Sequence, residues 1–174
     1  MNPLPLILER IPSPIGTVLL MTDEAGAVRV LDFADYEARM ARLLRRHYGA
    51  GGWTVREAAA PTAARKALEA YFDGQIDAID ALETATGGTA FQRQVWAALR
   101  TIPAGTTWSY GALADRIGRP KAVRAAGLAN GANPIGVIVP CHRVIGADGS
   151  LTGYGGGLPR KRWLLAHEDA LGRA

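Results

Sequence analysis

The chain has 174 residues, 48% hydrophobic and 21% charged, with a formal net charge of +4; it can bury a core as one domain or two small ones, and its composition is that of a soluble globular protein. No apolar run approaches the roughly 20 residues of a membrane helix, and the opening MNPLPLILERIPSPIG lacks the basic stretch, long apolar run and cleavage site of a signal peptide, so the expected compartment is the cytoplasm. One cysteine excludes an internal disulfide and a multi-cysteine zinc site, and three scattered histidines argue against a structural metal.

Taken in order, LILERIPSPIGTVLLMTDEAGAVRVLDF reads as strands broken at SPIG and DEAG. DYEARMARLLRRHYG reads as a helix with Met40, Leu43, Leu44 and His47 on one face, Asp35 as its cap and Gly49 after its end. WTVREAA is a candidate strand. PTAARKALEAYFDGQ is a helix opening on Pro61, with Leu68, Tyr71 and Phe72 as its apolar side. IDAIDALETATGG then drifts into small and polar residues. A boundary there divides the chain into a domain over 1–84 and another over 85–174.

TAFQRQVWAALRTIP is a helix capped by Thr89, with Phe91, Val95 and Leu99 four apart and Pro103 beyond it. TWSYGALADRIG starts a helix at its Ser109 cap and stops at Gly118, and RPKAVRAAGLANGANP begins another about three residues later. Two short helices across a glycine turn suggest helix-turn-helix, although many helix pairs share that pattern. Between Val123 and Asn133 the residues are mostly Ala, Gly and Asn, and Arg124 is the sole charge. Such a helix suits close packing on a neighbour, or docking in a DNA minor groove about 6 Å wide. Charge favours a polyanion partner: residues 1–84 carry 9 Lys/Arg against 12 Asp/Glu, and residues 85–174 carry 11 against 4.

IVPCHRVIGADG, residues 138–149, reads as a buried strand running into Cys141. A lone cysteine can be a small buried hydrophobe, a nucleophile or a metal ligand. Neighbouring His142 and Arg143 favour the nucleophile. Adjacent residues on a strand face opposite ways, so His142 needs a bend at Cys141 or a bridging water. His167 is an alternative distant base, as a cysteine protease would use, but no other element of a protease site stands out.

The run PCHRV at 140–144, preceded by GANP and followed by GYGGGLPRKRWLLAHE, resembles the O6-alkylguanine-DNA alkyltransferases over about Thr89 to Glu168. The N-terminal half resembles that family only in strand–helix layout. The resemblance implies an α+β protein: a small mixed α/β domain, then a mainly helical domain with a winged helix-turn-helix-like motif. It implies single-use transfer of an alkyl group from O6-alkylguanine, and from O4-alkylthymine, in flipped-out duplex DNA to Cys141. By the same resemblance His142 relays the thiol proton through a water, with Glu168 orienting the imidazole. Asn133 holds the recognition segment, although an Asn-Pro turn residue is ordinary. Tyr110 presses on the target phosphate and protonates the leaving base, unless it is a core tyrosine. Arg124 fills the emptied stack, and Ala125, Ala126 and Gly127 form the smooth DNA-facing surface. Tyr154, Gly155 and Lys161 line the base pocket.

The partner implied is alkylated double-stranded DNA bound through its minor groove. No cofactor, metal or membrane is expected, and the protein is expected to be a monomer without DNA. Members of the family often have serine where this chain has Gly155, and some have proline at Gly136; both changes widen the expected pocket. Some relatives hold a zinc with N-terminal cysteines that this chain lacks. Three rivals are a damage-sensing binder, which lacks the cysteine, a DNA-binding regulator, which has no use for Cys141, His142 and Glu168 together, and an unrelated cysteine hydrolase.

Overall fold

The computed structural model describes residues 2–170, and the chain divides into two compact units, Met1–Gly88 and Thr89–Ala174. In the first unit, β1 (Leu4–Ile11), β2 (Val18–Thr22) and β3 (Val28–Phe33) form an antiparallel meander. The β4 strand (Trp53–Glu57) joins β1 in parallel after helix α1 (Glu37–Tyr48), giving the order β3-β2-β1-β4. Every residue of β2 is buried, as a central strand covered on both faces requires. Leu6, Leu8, Leu19, Met21 and Val30 of the sheet pack with Met40 and Leu44 of α1.

Three expectations shift here. Asp35 does not cap α1: residues Ala34–Tyr36 form a 3-10 turn, and the helix begins after Tyr36 without a side-chain cap. Pro61 stands one place before the true cap of α2 (Ala63–Phe72), where Thr62 accepts from the Arg65 N–H. The stretch after residue 84 stays with the first unit, because Val28 N–H donates to the Glu83 carbonyl at 2.8 Å and Ala85 N–H to the Val28 carbonyl at 3.0 Å.

The second unit is mainly helical. Its first helix, α3 (Ala90–Leu99), starts with a full capping box. Gln92 N–H donates to Thr89 Oγ1, and Thr89 N–H donates to the Gln92 side chain. Val95, Trp96 and Leu99 form its buried face. The Ser109 hydroxyl caps α4 (Tyr110–Arg116), which a turn through Gly118, φ +74°, joins to α5 (Val123–Gly131). Beside this pair a short parallel ladder links β5 (Trp108–Ser109) to β6 (Val144–Ile145), giving a winged helix-turn-helix-like layout. The last helix is α6 (Leu158–His167), entered through Gly157 with proline in its first turn.

The run before Cys141 is not a strand. Ile135 makes a single bridge, residues 136–139 fold into tight turns and bends, and Cys141–Arg143 is a single 3-10 turn. The β-branched run suits a strand, but Pro134 and Pro140 lack the N–H a ladder needs, and the Asn133 side chain takes up the carbonyls.

Candidate active site and nucleic-acid interface

The turn that delivers Cys141 is built by side-chain amides. Asn133, 2% exposed, donates through Nδ2 to the carbonyls of Ile135 at 3.2 Å and Val139 at 2.8 Å, and accepts the Ile135 N–H at 2.9 Å. Asn130, on the inner side of α5, donates to the Cys141 carbonyl at 3.4 Å. Within the loop, Val137 is held at φ +68° and Cys141 N–H donates to the Val139 carbonyl at 2.8 Å. Successive residues of a 3-10 turn are about 120° apart rather than 180°. That is the bend a strand would have denied to Cys141 and His142.

His142 is fully buried. Its Nε2 lies 3.0 Å from Glu168 Oε1, and its Nδ1 has no hydrogen-bond partner. Burial drives its pKa below the ordinary value, against the opposing hydrogen bond and charge of Glu168; the Arg143 and Lys161 charges push the same way as burial. At neutral pH the imidazole is therefore uncharged. Nε2–H donates to the carboxylate, leaving Nδ1 as a lone-pair acceptor.

Glu168, the residue capping the end of α6, is 5% exposed. Burial pushes its pKa up, but the hydrogen bonds and charges of His142 and Arg143 overcome this and hold it well below the usual carboxylate range. Arg143 makes a two-pronged contact with it, Nε to Oε1 at 2.9 Å and Nη2 to Oε2 at 3.0 Å, while Nη1 donates to the Ile102 carbonyl at 2.7 Å. The carboxylate thus stays ionised and fixed, with the imidazole on one oxygen.

Lys161 is also fully buried, but it does not offer the expected pocket a free donor. Its ammonium donates to the carbonyls of Val144 at 2.7 Å, Thr152 at 2.7 Å and Gly153 at 3.2 Å. Those bonds tie β6 to the following loop from beneath. Burial lowers its pKa to about 8, against the charge of Cys141, so it remains a cation at neutral pH. Cations beside a thiol favour the thiolate.

The same loop carries the other pocket candidates. Tyr154 presents its ring edge-on to His142, with centroids 6.5 Å apart. Gly155 lies half-buried in the turn closed by Gly157 N–H donating to the Tyr154 carbonyl at 2.9 Å. Tyr110, the first residue of α4, donates to the Thr152 carbonyl at 3.3 Å and accepts from the Thr152 hydroxyl at 3.1 Å. A Cβ on Gly127 would meet the Tyr110 ring at 3.4 Å, an ordinary contact, so Gly127 lies directly beside that ring.

Helix α5 has two distinct faces. Ala126, Ala129 and Asn130 point inward, and Ala126 is wholly buried. Its expected place on the DNA-facing surface is corrected, since the helical phase that exposes Arg124 buries Ala126 two positions on. Arg124 and Ala125 are exposed, and so is Leu128. Sequence reading placed Arg143 beside the thiol without its pairing to Glu168, and missed Asn130, Thr152 and Leu128. An arginine inside an apolar run was a usable signal for Arg143, because such a charge is buried only when paired. Among the described residues no three His, Cys, Asp or Glu side chains cluster as metal ligands, and no helix is long and apolar enough to cross a membrane.

Residues 90–170 match the family described as 6-O-methylguanine DNA methyltransferase, DNA binding domain. A methylated-DNA–protein-cysteine methyltransferase of Salmonella typhimurium is 51% identical over 166 residues, spanning 95% of this chain and 97% of the relative. The likeness therefore extends well into the N-terminal half, beyond the shared layout expected from sequence. The crystal structure of Mycobacterium tuberculosis O6-methylguanine methyltransferase superposes with a TM-score of 0.76 at 44% identity, covering 97% of this chain and 96% of that one. The M. tuberculosis protein in complex with DNA gives a TM-score of 0.74 at 43% identity, covering 95% and 93%. On identity and coverage together, the chain belongs to the methylated-DNA–protein-cysteine methyltransferase family.

Proposed function

We propose that this protein repairs DNA by direct reversal, with Cys141 taking the alkyl group from O6-alkylguanine, and from O4-alkylthymine, in duplex DNA. The observation that carries the reading is the buried relay: a neutral imidazole beside Cys141 in the chain, anchored at Nε2 by an ionised Glu168 and open at Nδ1. A bridging water passes the thiol proton to His142 Nδ1. Sγ attacks the alkyl carbon, an S–C bond forms, and the C–O6 bond breaks with its electron pair moving to the base. Tyr110, half-exposed at the start of α4, gives that base a proton, so that it leaves as guanine.

The target carbon lies in the major groove inside the stack, so the nucleotide has to flip out before the thiolate reaches it. Helix α5 docks in the minor groove and Arg124 occupies the vacated space. Tyr154 and the backbone of Gly155 line the base pocket, and Lys161 and Asn133 set its shape from below. Residues 85–174 supply the affinity, and their excess of 11 basic over 4 acidic residues supports this. The reaction takes place in the cytoplasm, by a monomer that needs no cofactor.

Intact mass after mixing with methylated duplex tests the reading. Each chain gains one methyl group and no more, because no second thiol exists to regenerate the thioether. Cys141→Ser gains none and still binds the alkylated duplex. Repeated turnover by one chain refutes the reading, as does methyl gain by the serine variant.

A further inference from the structure

Helix α5 carries one feature that alkyl transfer does not call for. Leu128 is 71% exposed, more than Val55, Val123 or Leu158, the other exposed large apolar residues among those described. A single exposed leucine is ordinary on a protein surface. Its setting here is not: it lies four residues after exposed Arg124, one helical turn on and on the same side. Ala125, Gly127 and Gly131 beside it are small, and Val123, at the start of the helix and less exposed, is the only other exposed large apolar residue of α5. The helix lies within the region matching a DNA-binding domain, in a half of the chain with a large basic excess. Those two observations select duplex DNA as the occupant of this face.

We infer that Leu128 makes repair sensitive to the base pairs beside the lesion, disfavouring G·C pairs. This rests on the minor-groove reading given above. In that groove an A·T pair shows only acceptors, whereas a G·C pair adds the projecting guanine N2 amino group. Leucine has neither an acceptor for that donor nor room for its bulk. A G·C pair under Leu128 loses the water on its amino group and gains no partner, which is costly. The four residues from Arg124 to Leu128 advance about 6 Å along the helix and base pairs stack about 3.4 Å apart. The pair sensed therefore lies within about two steps of the flipped nucleotide held open by Arg124.

The test uses the full chain and duplexes with one O6-methylguanine whose two neighbouring pairs on each side are A·T, G·C or inosine·C. Inosine lacks only the N2 amino group of guanine. The second-order transfer rate is read at limiting DNA for the native protein and for Leu128→Ala. The native protein is expected to react about 5-fold more slowly with G·C flanks than with either other set, equivalent to about 1 kcal/mol. In Leu128→Ala the three rates converge to within about twofold. Transfer from free O6-methylguanine stays the same in both proteins, which shows the variant folded and its chemistry intact.

A context ratio equal in both proteins belongs to the DNA's own stiffness and overturns the inference, as does a native protein indifferent to context. Either result leaves the repair reading standing, provided every duplex delivers its methyl group to the chain. If no duplex does so, the repair reading fails and the inference fails with it.

Discussion

In the first unit, buried acids end on backbone and rim cations. Asp23 accepts the N–H groups of Ala25 and Ala27 and an ion pair from Arg29 at 2.8 Å, so that it fastens the DEAG turn. Asp32, 3% exposed, pairs with Arg39 at 2.9 Å, and Glu9 holds the Thr62 N–H and hydroxyl at the start of α2. In the second unit His142, Arg143, Lys161 and Glu168 are all buried, in the segments around the only thiol. There, two acceptors remain unpartnered: His142 Nδ1 and Asn130 Oδ1. A closed set of bonds only stabilises, whereas an imidazole nitrogen held open in a dry site can take a proton. The contrast separates scaffold charge from reactive charge without reference to any relative.

The sharpest way to break this contrast is to remove the open acceptor. His142→Ala is expected to slow transfer by a factor on the order of 10² to 10⁴, the usual worth of a positioned proton acceptor. Glu168→Gln slows it within the same range, and the double variant loses little more than the worse single one, because the two act as a unit. Loss equal to the product of the two factors contradicts the relay. Stopped-flow transfer from free O6-methylguanine, corrected for the folded fraction, keeps fold and chemistry apart; Glu168→Gln leaves the Arg143 charge buried without its counter-ion, itself destabilising.

The relay also has a pH signature. The folded pKa of His142 lies below that of the unfolded chain, so the native state binds fewer protons between the two values. Stability from this group is present above the unfolded value, near 6.5, and is lost as pH falls through the folded one. Transfer fades over the same acid window, as the imidazole gains a proton at Nδ1. His142→Ala abolishes that acid limb, measured as rate against pH.

Next in size is Arg124→Ala. Flipping costs a few kcal/mol of stacking and pairing, so losing the side chain that fills the gap slows duplex repair by roughly tenfold. Transfer from the free base is nearly unchanged. Equal losses on both substrates place Arg124 in the chemistry or the fold instead.

The smallest effect on transfer is expected from the first unit. Asp32→Asn costs about 1–3 kcal/mol of stability by urea titration, the range for a buried polar group stripped of its partner. Its transfer rate per folded chain equals that of the native protein. A tenfold slower rate in the folded variant erases the distinction between the two kinds of buried charge.

Much of this was legible in the sequence because the signals are local. Thr89 and Ser109 announce their helices through short cap motifs, and the strands of the first unit through β-branched density. PCHRV and the glycine-rich run mark the site through order and spacing. The missed features depend on tertiary partners. Lys161, placed in the base pocket by resemblance, carries no local sign of the three carbonyls that take up its ammonium. Arg143 looks like a solvated charge until Glu168 arrives from 25 residues away. The run Ile135–Val139 has the composition of a strand, and only the amide of Asn133, with prolines on either side, turns it into a coil. The inward phase of Ala126 could not be fixed from a helix with so few large residues.

The left-handed backbone at Val137 has a bearing on timing. A β-branched residue at φ +68° is an outlier, and such conformations, costing on the order of 1–3 kcal/mol, persist only where the surroundings over-determine them. The surroundings here are burial of Ile135, Val137, Ile138 and Val139, short backbone hydrogen bonds from the Ile138, Val139 and Cys141 amides, and side-chain bonds made by Asn133 and Asn130. The segment that carries the nucleophile is thus held against the backbone preference of Val137 by burial, local turns and two side-chain amides together. Its breathing rate, read as hydrogen exchange at the Ile135, Val139 and Cys141 amides, is expected to run ahead of global unfolding and to rise further in Asn133→Ala, which removes the acceptor of the Ile135 amide and the donor to the Val139 carbonyl.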